Sequence, residues 1–259
     1  MTSVPFLSVE NLCVSHGNAE LVRSVSFTAQ EGRVTGILGE SGCGKSLTCM
    51  GLLDLLPPGL ERRGRVLLRG KPFSGRTSRE LLGREISVIM QNPMSCFDSV
   101  FTLRSHFNET MRAHNLSCSD ELYAHALSEV GLNPDILHSY PFQLSGGMLQ
   151  RVMIALALIM NSPFLLADEP TTDLDALNQA RVLMLLDSLK RERGMGMIIV
   201  THDLGVMARL ADDVIVMRAG VIVESGPVSQ IFRSPREAYT AELVKAHMQL
   251  CGAGEGAEQ

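Results

Sequence analysis

The eight residues Gly39-Glu40-Ser41-Gly42-Cys43-Gly44-Lys45-Ser46 constrain the fold of this chain more than any other feature. They match G-x-x-x-x-G-K-[ST]. The apolar run Val34–Leu38 precedes them, and Leu47–Leu56 follows with apolar residues at helical spacing. A buried strand, a glycine-rich turn and a helix in that order make a cradle for phosphate. Glycines let the turn wrap tightly, so that backbone N–H groups point inward, and the helix adds its positive end. In such a loop Lys45 reaches the β- and γ-phosphates, and the Ser46 hydroxyl ligates Mg2+.

The rest of the chain supplies the sheet that this motif requires. Phe6–Val14 and Leu21–Ala29 read as strands joined by a turn, and Pro57, Pro58 and Gly59 are expected to end the helix after the loop. Arg65–Arg69 and Ile86–Met90 are further strand candidates. From Asn92 to Gln150 the texture becomes helical, with few β-branched runs. Strand–helix alternation then resumes: Phe164–Ala167, Met197–Thr201 and Val214–Met217 are strands, with helices at Asp175–Arg193 and Leu204–Leu210. This alternation predicts a parallel sheet covered by helices, interrupted by a helical insertion. The expected organisation is a core from 1–91 and 161–247, a helical subdomain at 92–160 and a flexible tail at 248–259.

A second element is acidic. Phe164-Leu165-Leu166-Ala167 reads as a buried strand that ends on Asp168 and Glu169. Ligands collect at the carboxyl ends of parallel strands, so Asp168 is a candidate Mg2+ ligand. Glu169, one residue further on, suits a base that deprotonates or orients an attacking water. A third element, Leu144-Ser145-Gly146-Gly147, opens a helix near Met148. There Ser145 can cap the helix, and the glycines admit a ligand close to the backbone.

Taken in order, GESGCGKS, Gln91 in MQNP, LSGGMLQR, LLADEP, TDLD and THD resemble the ATP-binding subunits of ABC transporters, over roughly Phe6 to His247. The resemblance implies a P-loop NTPase, RecA-like α/β core with an N-terminal antiparallel β subdomain and an inserted α-helical subdomain. It implies ATP and Mg2+ as ligands, with Gly39, Glu40, Ser41, Gly42, Cys43, Gly44, Lys45, Ser46 and Leu47 around the nucleotide. Ser46, Gln91 and Asp168 would hold the metal, and Glu169 and His202 would be catalytic. Ser145, Gly146, Gly147 and Met148 would touch the ATP of a partner subunit. Asp173 and Asp175 would form the loop that crosses the dimer junction.

Three positions depart from the family pattern. His16 stands where an aromatic residue commonly stacks on adenine, and imidazole offers less area. Leu47 replaces a frequent Thr, and Met148 replaces a frequent Gln. The set Lys45, Asp168, Glu169 and His202 is intact, so an active ATPase is expected.

Glu224–His247 is similar to the end of the peptide/nickel importer branch, where Pro235-Arg-Glu-Ala-Tyr239-Thr240 matches Pro-x-x-x-Tyr-Thr. Within that branch the wording SGGMLQR and ADEPTTDLD is most similar to nickel-import members. The implied function is coupling of ATP hydrolysis to uptake of nickel or a nickel chelate. The alternative is di- or oligopeptide import, and a soluble non-transport ATPase is a third reading. The implied partners are a second ATP-binding subunit in a heterodimer (a homodimer in isolation), two membrane permease subunits and an extracytoplasmic substrate-binding protein.

Composition bears on the partners. Twenty-three Lys+Arg against 28 Asp+Glu leave a net charge of −5, which excludes a broadly basic nucleic-acid binder. The longest unbroken apolar run, Val152–Met160, has nine residues, against the roughly 18 that span a bilayer. The N-terminus lacks a signal-peptide pattern. A peripheral position on the cytoplasmic face of the inner or plasma membrane is expected. The six cysteines form no CxxC pair, and neither they nor His114, His125, His138 and His247 have metal-site spacing.

Overall fold

The computed structural model describes residues 4–172 and 174–254. In chain order the elements are β1 (Leu7–His16), β2 (Ala19–Ala29), β3 (Val34–Leu38), α1 (Lys45–Leu53), β4 (Leu60–Leu68), β5 (Lys71–Pro72), α2 (Arg76–Leu81), β6 (Ile86–Ile89), α3 (Leu103–Ala113), α4 (Asp120–Glu129), α5 (Gly146–Ile159), β7 (Phe164–Asp168), α6 (Ala176–Arg193), β8 (Gly196–Thr201), α7 (Leu204–Leu210), β9 (Asp213–Arg218), β10 (Val221–Pro227), α8 (Val228–Arg233) and α9 (Ala238–Gly254). Two compact units emerge. One comprises the described residues up to Phe73 and from Ile199 onward, and the other is Ser74–Ile198. The second boundary falls inside β8.

In the first unit, β1 pairs antiparallel with both β2 and β4, in a four-stranded sheet of order β2-β1-β4-β5. Its inward residues change parity midway: Leu7 and Val9 are buried, then Leu12 and Val14. A β-bulge at Asn11 (φ 50) inserts the residue that makes the switch. The Asn11 backbone N–H donates to Ser26 Oγ at 2.8 Å, and its side-chain oxygen accepts from Ser24 Oγ at 3.1 Å. Gly64 lies against this bulge so closely that a Cβ there would sit 2.3 Å from Asn11 O.

Also in this unit, β3 is fully buried and runs parallel to β9, with Thr35 to Leu38 opposite Asp213 to Val216. Antiparallel β10 follows β9. Helix α7 packs on β3 because Gly36 has no side chain: a Cβ there would overlap Met207 Sδ at 2.2 Å.

The helix after the glycine-rich loop ends earlier than the sequence suggests. It stops at Leu53, and Asp54 adopts a left-handed conformation (φ 61) that caps it. Pro57 to Gly59 follow as a loop. Strand β4 starts at Leu60, five residues before the expected Arg65, because ladder pairing with β1 carries the charged stretch Glu61 to Arg63. Helix α9 continues to Gly254, beyond the position 248 where a tail was expected.

In the second unit, β6 and β7 are parallel, with Ile86 opposite Phe164 and Ile89 opposite Ala167. Helix α5 is buried along almost its whole length and packs on α4. Arg151 anchors it, donating to the carbonyls of Val130 and Gly131 at 3.3 and 3.0 Å. Phe107 of α3 and Tyr123 of α4 are fully buried, with ring centroids 5.0 Å apart. Asp175 is the N-cap of α6, accepting from the Asn178 N–H at 2.9 Å.

Candidate nucleotide-binding site

The phosphate loop belongs wholly to the first unit. Gly39 lies where no side chain fits: a Cβ would meet Met217 O at 2.3 Å and Cys43 Sγ at 2.7 Å. Gly42 (φ 78) and Gly44 (φ 105) take conformations that favour glycine, and Gly44 is the residue at which α1 begins. Cys43 is buried, and its carbonyl accepts from the Gly220 N–H at 2.9 Å. Burial pushes its thiol up, against the opposing pull of Lys45 and nearby backbone N–H groups, so this cysteine serves as a packed wall.

Lys45 is 6% exposed, and its ammonium is held by two carbonyls of its own loop. It donates to Gly39 O at 2.7 Å and to Glu40 O at 2.9 Å. Thr48 Oγ1 donates to Gly44 O at 2.9 Å, bracing the first turn of α1. Glu40, Ser41 and Gly42 are exposed, while Ser46 and Leu47 are half-buried. A loop whose rim is open and whose cation is buried is built to receive an anion.

Two other expected residues lie in this unit. His16 is the exposed last residue of β1. A Cβ on Gly59 would lie 3.6 Å from its Nε2, so the imidazole rests beside the glycine of the following loop. His202 is exposed and immediately follows β8.

The remaining candidates belong to the second unit. Asp168 closes β7 at 2% exposure, and Glu169 follows at 6%. Glu169 has φ 51, a left-handed conformation that costs a non-glycine residue about 1–2 kcal/mol. Its carboxylate accepts from Thr172 Oγ1 at 3.0 Å. A buried carboxylate fixed by a hydroxyl on a strained backbone is the kind of local cost that gathers at chemical centres. Gln91 is exposed just after β6.

The Ser145-Gly146-Gly147-Met148 segment forms the N-terminus of α5. Ser145 Oγ accepts from the Met148 N–H at 3.3 Å, and a Cβ on Gly146 would meet nothing within 4 Å. Gly146 is therefore not required by packing within the chain. Gln150 Nε2 donates to Pro170 O at 3.3 Å, tying this helix to the segment just after Glu169. The Asn178 backbone N–H holds the Asp175 carboxyl below its ordinary value. Its role in the chain is that of a helix cap. Asp173 lies outside the described residues.

Sequence reasoning missed two supports of the loop. Met217 carries the carbonyl that Gly39 abuts. Tyr239, noticed only as part of Pro-x-x-x-Tyr-Thr, accepts the Glu40 N–H through its hydroxyl at 3.3 Å. The motif itself was the signal, but nothing local in the sequence tied it to a loop 199 residues away. Among the described residues no helix is long and apolar enough to cross a membrane, and no group of three His, Cys, Asp or Glu is placed to hold a metal ion.

Residues 22–172 match the family model described as ABC transporter. The chain is 50% identical over 255 residues to the nickel import ATP-binding protein NikD of Rhodospirillum rubrum, covering 95% of this chain and 96% of that one. It is 48% identical over 250 residues to the protein of the same name from Pseudomonas putida, again covering 95% and 96%. Among solved structures, an ATP-binding subunit of an ABC transporter aligns with a TM-score of 0.77 and 26% identity, covering 94% of this chain and 99% of that chain. A bacterial ABC transporter cassette solved as a dimer aligns with a TM-score of 0.75 and 25% identity, covering 86% and 98%. With its phosphate loop, acidic strand end and glycine-opened helix all in the expected order, the chain belongs to the ATP-binding subunits of the ABC transporter family.

Proposed function

We propose that this chain is the ATP-hydrolysing subunit of a membrane importer of nickel or of a nickel chelate. The end-to-end match to nickel import ATP-binding proteins carries the reading. The residues provide for each chemical need of phosphoryl transfer, which rests on positioning and charge stabilisation. Loop N–H groups from Ser41 to Ser46 and the Lys45 ammonium take the β- and γ-phosphates. His16 stacks on the base. Glu169 accepts the proton of the attacking water, with its carboxylate oriented by Thr172. His202 donates to a γ-phosphate oxygen.

Ser46, Asp168 and Gln91 offer a hydroxyl, a carboxylate and an amide oxygen. By the family resemblance these three residues would hold Mg2+, a hard cation that takes oxygen ligands. When bound, Mg2+ would supply neutralisation of the charge on the transferring phosphate.

The N-terminus of α5, Ser145 to Met148, serves the nucleotide of a second ATP-binding subunit, with Asp175 near that junction. The open side of Gly146 supports this role, because a ligand from outside the chain can approach its backbone. Two permease subunits supply the membrane spans, and an extracytoplasmic binding protein delivers the cargo. The chain itself sits at the cytoplasmic face as a peripheral subunit. Uptake of radioactive nickel by cells lacking this gene tests the proposal. Uptake should be lost, and restored by the wild-type gene but not by Glu169→Gln. Unchanged nickel uptake with loss of dipeptide uptake would assign the chain to peptide import instead.

A further inference from the structure

The peptide group between Gly39 and Glu40 is held on both edges. Its carbonyl, Gly39 O, accepts from Lys45 Nζ at 2.7 Å. Its N–H, that of Glu40, donates to Tyr239 Oη at 3.3 Å. Lysine and tyrosine are thus joined through one amide plane. Gly39 has no side chain to restrain rotation of that plane. If the plane turned, Lys45 would lose one of its two carbonyl anchors, and its long side chain would regain rotamers that oppose binding.

Tyr239 is itself well held. It is 7% exposed, and the Arg218 guanidinium lies over its ring, 4.8 Å from the centroid. The chain leading into α9 is pinned by the buried Glu224 carboxylate, which accepts from the N–H groups of Arg236 and Glu237 at 2.9 and 3.1 Å. Burial pushes the phenol up, so it stays a neutral hydroxyl able to accept. A phenylalanine would fill the same space under Arg218. It would lack the hydroxyl that accepts the Glu40 N–H.

We propose that Tyr239 is a positioning residue for nucleotide binding: across the Gly39–Glu40 peptide plane it orients the carbonyl that aims the Lys45 ammonium at phosphate. The proposal rests on Gly39–Ser46 being the nucleotide-phosphate site. It gives Tyr239 of the Pro-x-x-x-Tyr-Thr motif a role in the ATPase site rather than in the cargo pathway.

The test is a titration of the full-length chain with a fluorescent ATP analogue and Mg2+, reading both Kd and binding stoichiometry. Tyr239→Phe removes one neutral hydrogen bond and keeps the ring, so Kd should rise about 2–10-fold with stoichiometry unchanged. A Kd within about 1.5-fold of wild type overturns the proposal, since such a change is smaller than the loss of any useful hydrogen bond. A fall in stoichiometry at constant Kd also overturns it, because that marks loss of folded protein alone. Lys45→Ala, run in parallel, separates the two readings. If Lys45→Ala binds as wild type does, or if wild type does not bind, the phosphate-loop reading falls and the proposal with it. If Lys45→Ala loses binding while Tyr239→Phe matches wild type, only the role of Tyr239 falls.

Discussion

Replacing Glu224 should destabilise the protein in a pH-dependent way. The residue lies on β10 at 7% exposure and accepts two backbone N–H groups, from Arg236 at 2.9 Å and Glu237 at 3.1 Å. Burial alone would raise its pKa. The Arg236 N–H and its neighbours outweigh burial and hold the carboxyl below its ordinary value. A hydrogen bond to a charged group contributes about 1.5–3 kcal/mol. Glu224→Ala therefore should cost about 3 kcal/mol, since two N–H groups lose their acceptor in a partly buried place. For a chain of this size that lowers Tm by about 6–12 °C. Glu224→Gln keeps one acceptor oxygen and should cost about 1–2 kcal/mol. The sign of the pH effect follows from the lowered pKa. The stabilisation is complete above the unfolded-state pKa of glutamate and is lost as pH falls through the folded-state value. Thermal unfolding of wild type and Glu224→Gln, followed by circular dichroism from neutral pH downward, should show a gap that closes in acid. Equal melting temperatures at neutral pH, or a gap that persists at low pH, would refute the reasoning.

Three further outcomes are expected. Glu169→Gln should retain nucleotide binding while turnover by the assembled transporter falls about 10²–10⁴-fold, and turnover near wild type would remove Glu169 as the base. Gly39→Ala places a methyl 2.3 Å from Met217 O, so the loop must shift. If the overpacking cost of about 1–3 kcal/mol falls on the binding-competent loop, ATP affinity drops about 5–150-fold, readable by the same fluorescence titration. Phe107→Ala empties a fully buried position against Tyr123 and should cost about 3–5 kcal/mol in chemical denaturation, with faster amide exchange in α3 and α4.

The parts of the fold legible in the sequence are those governed by continuous burial. Val34–Leu38, Phe164–Ala167 and Met197–Thr201 are mainly apolar stretches, and each is a buried strand. Where long-range pairing decides, the sequence is silent. Glu61 to Arg63 carry no strand pattern, yet the ladder to β1 draws them into β4. Val221–Pro227 is half-exposed and polar at its end, and it becomes β10 through pairing with β9. The end of α1 depends on one residue, Asp54, taking a left-handed conformation, and Pro57 and Pro58 lie further on. The site follows the same division. The phosphate loop is contiguous and needs only local geometry. The Tyr239 hydroxyl on Glu40 depends on an approach across 199 residues, which no local pattern encodes.

The bulge at Asn11 has a consequence for how this sheet tolerates changes in length. Without Asn11 the buried residues Leu7, Val9, Leu12 and Val14 would fall at strict two-residue intervals, so its removal would keep every inward side chain inward. Deleting or inserting a residue elsewhere in β1 would turn half the strand inside out. The Asn11 bulge is thus a position where β1 can change length without inverting its faces. The extra residue survives there because Ser24, Ser26 and Gly64 are shaped around it.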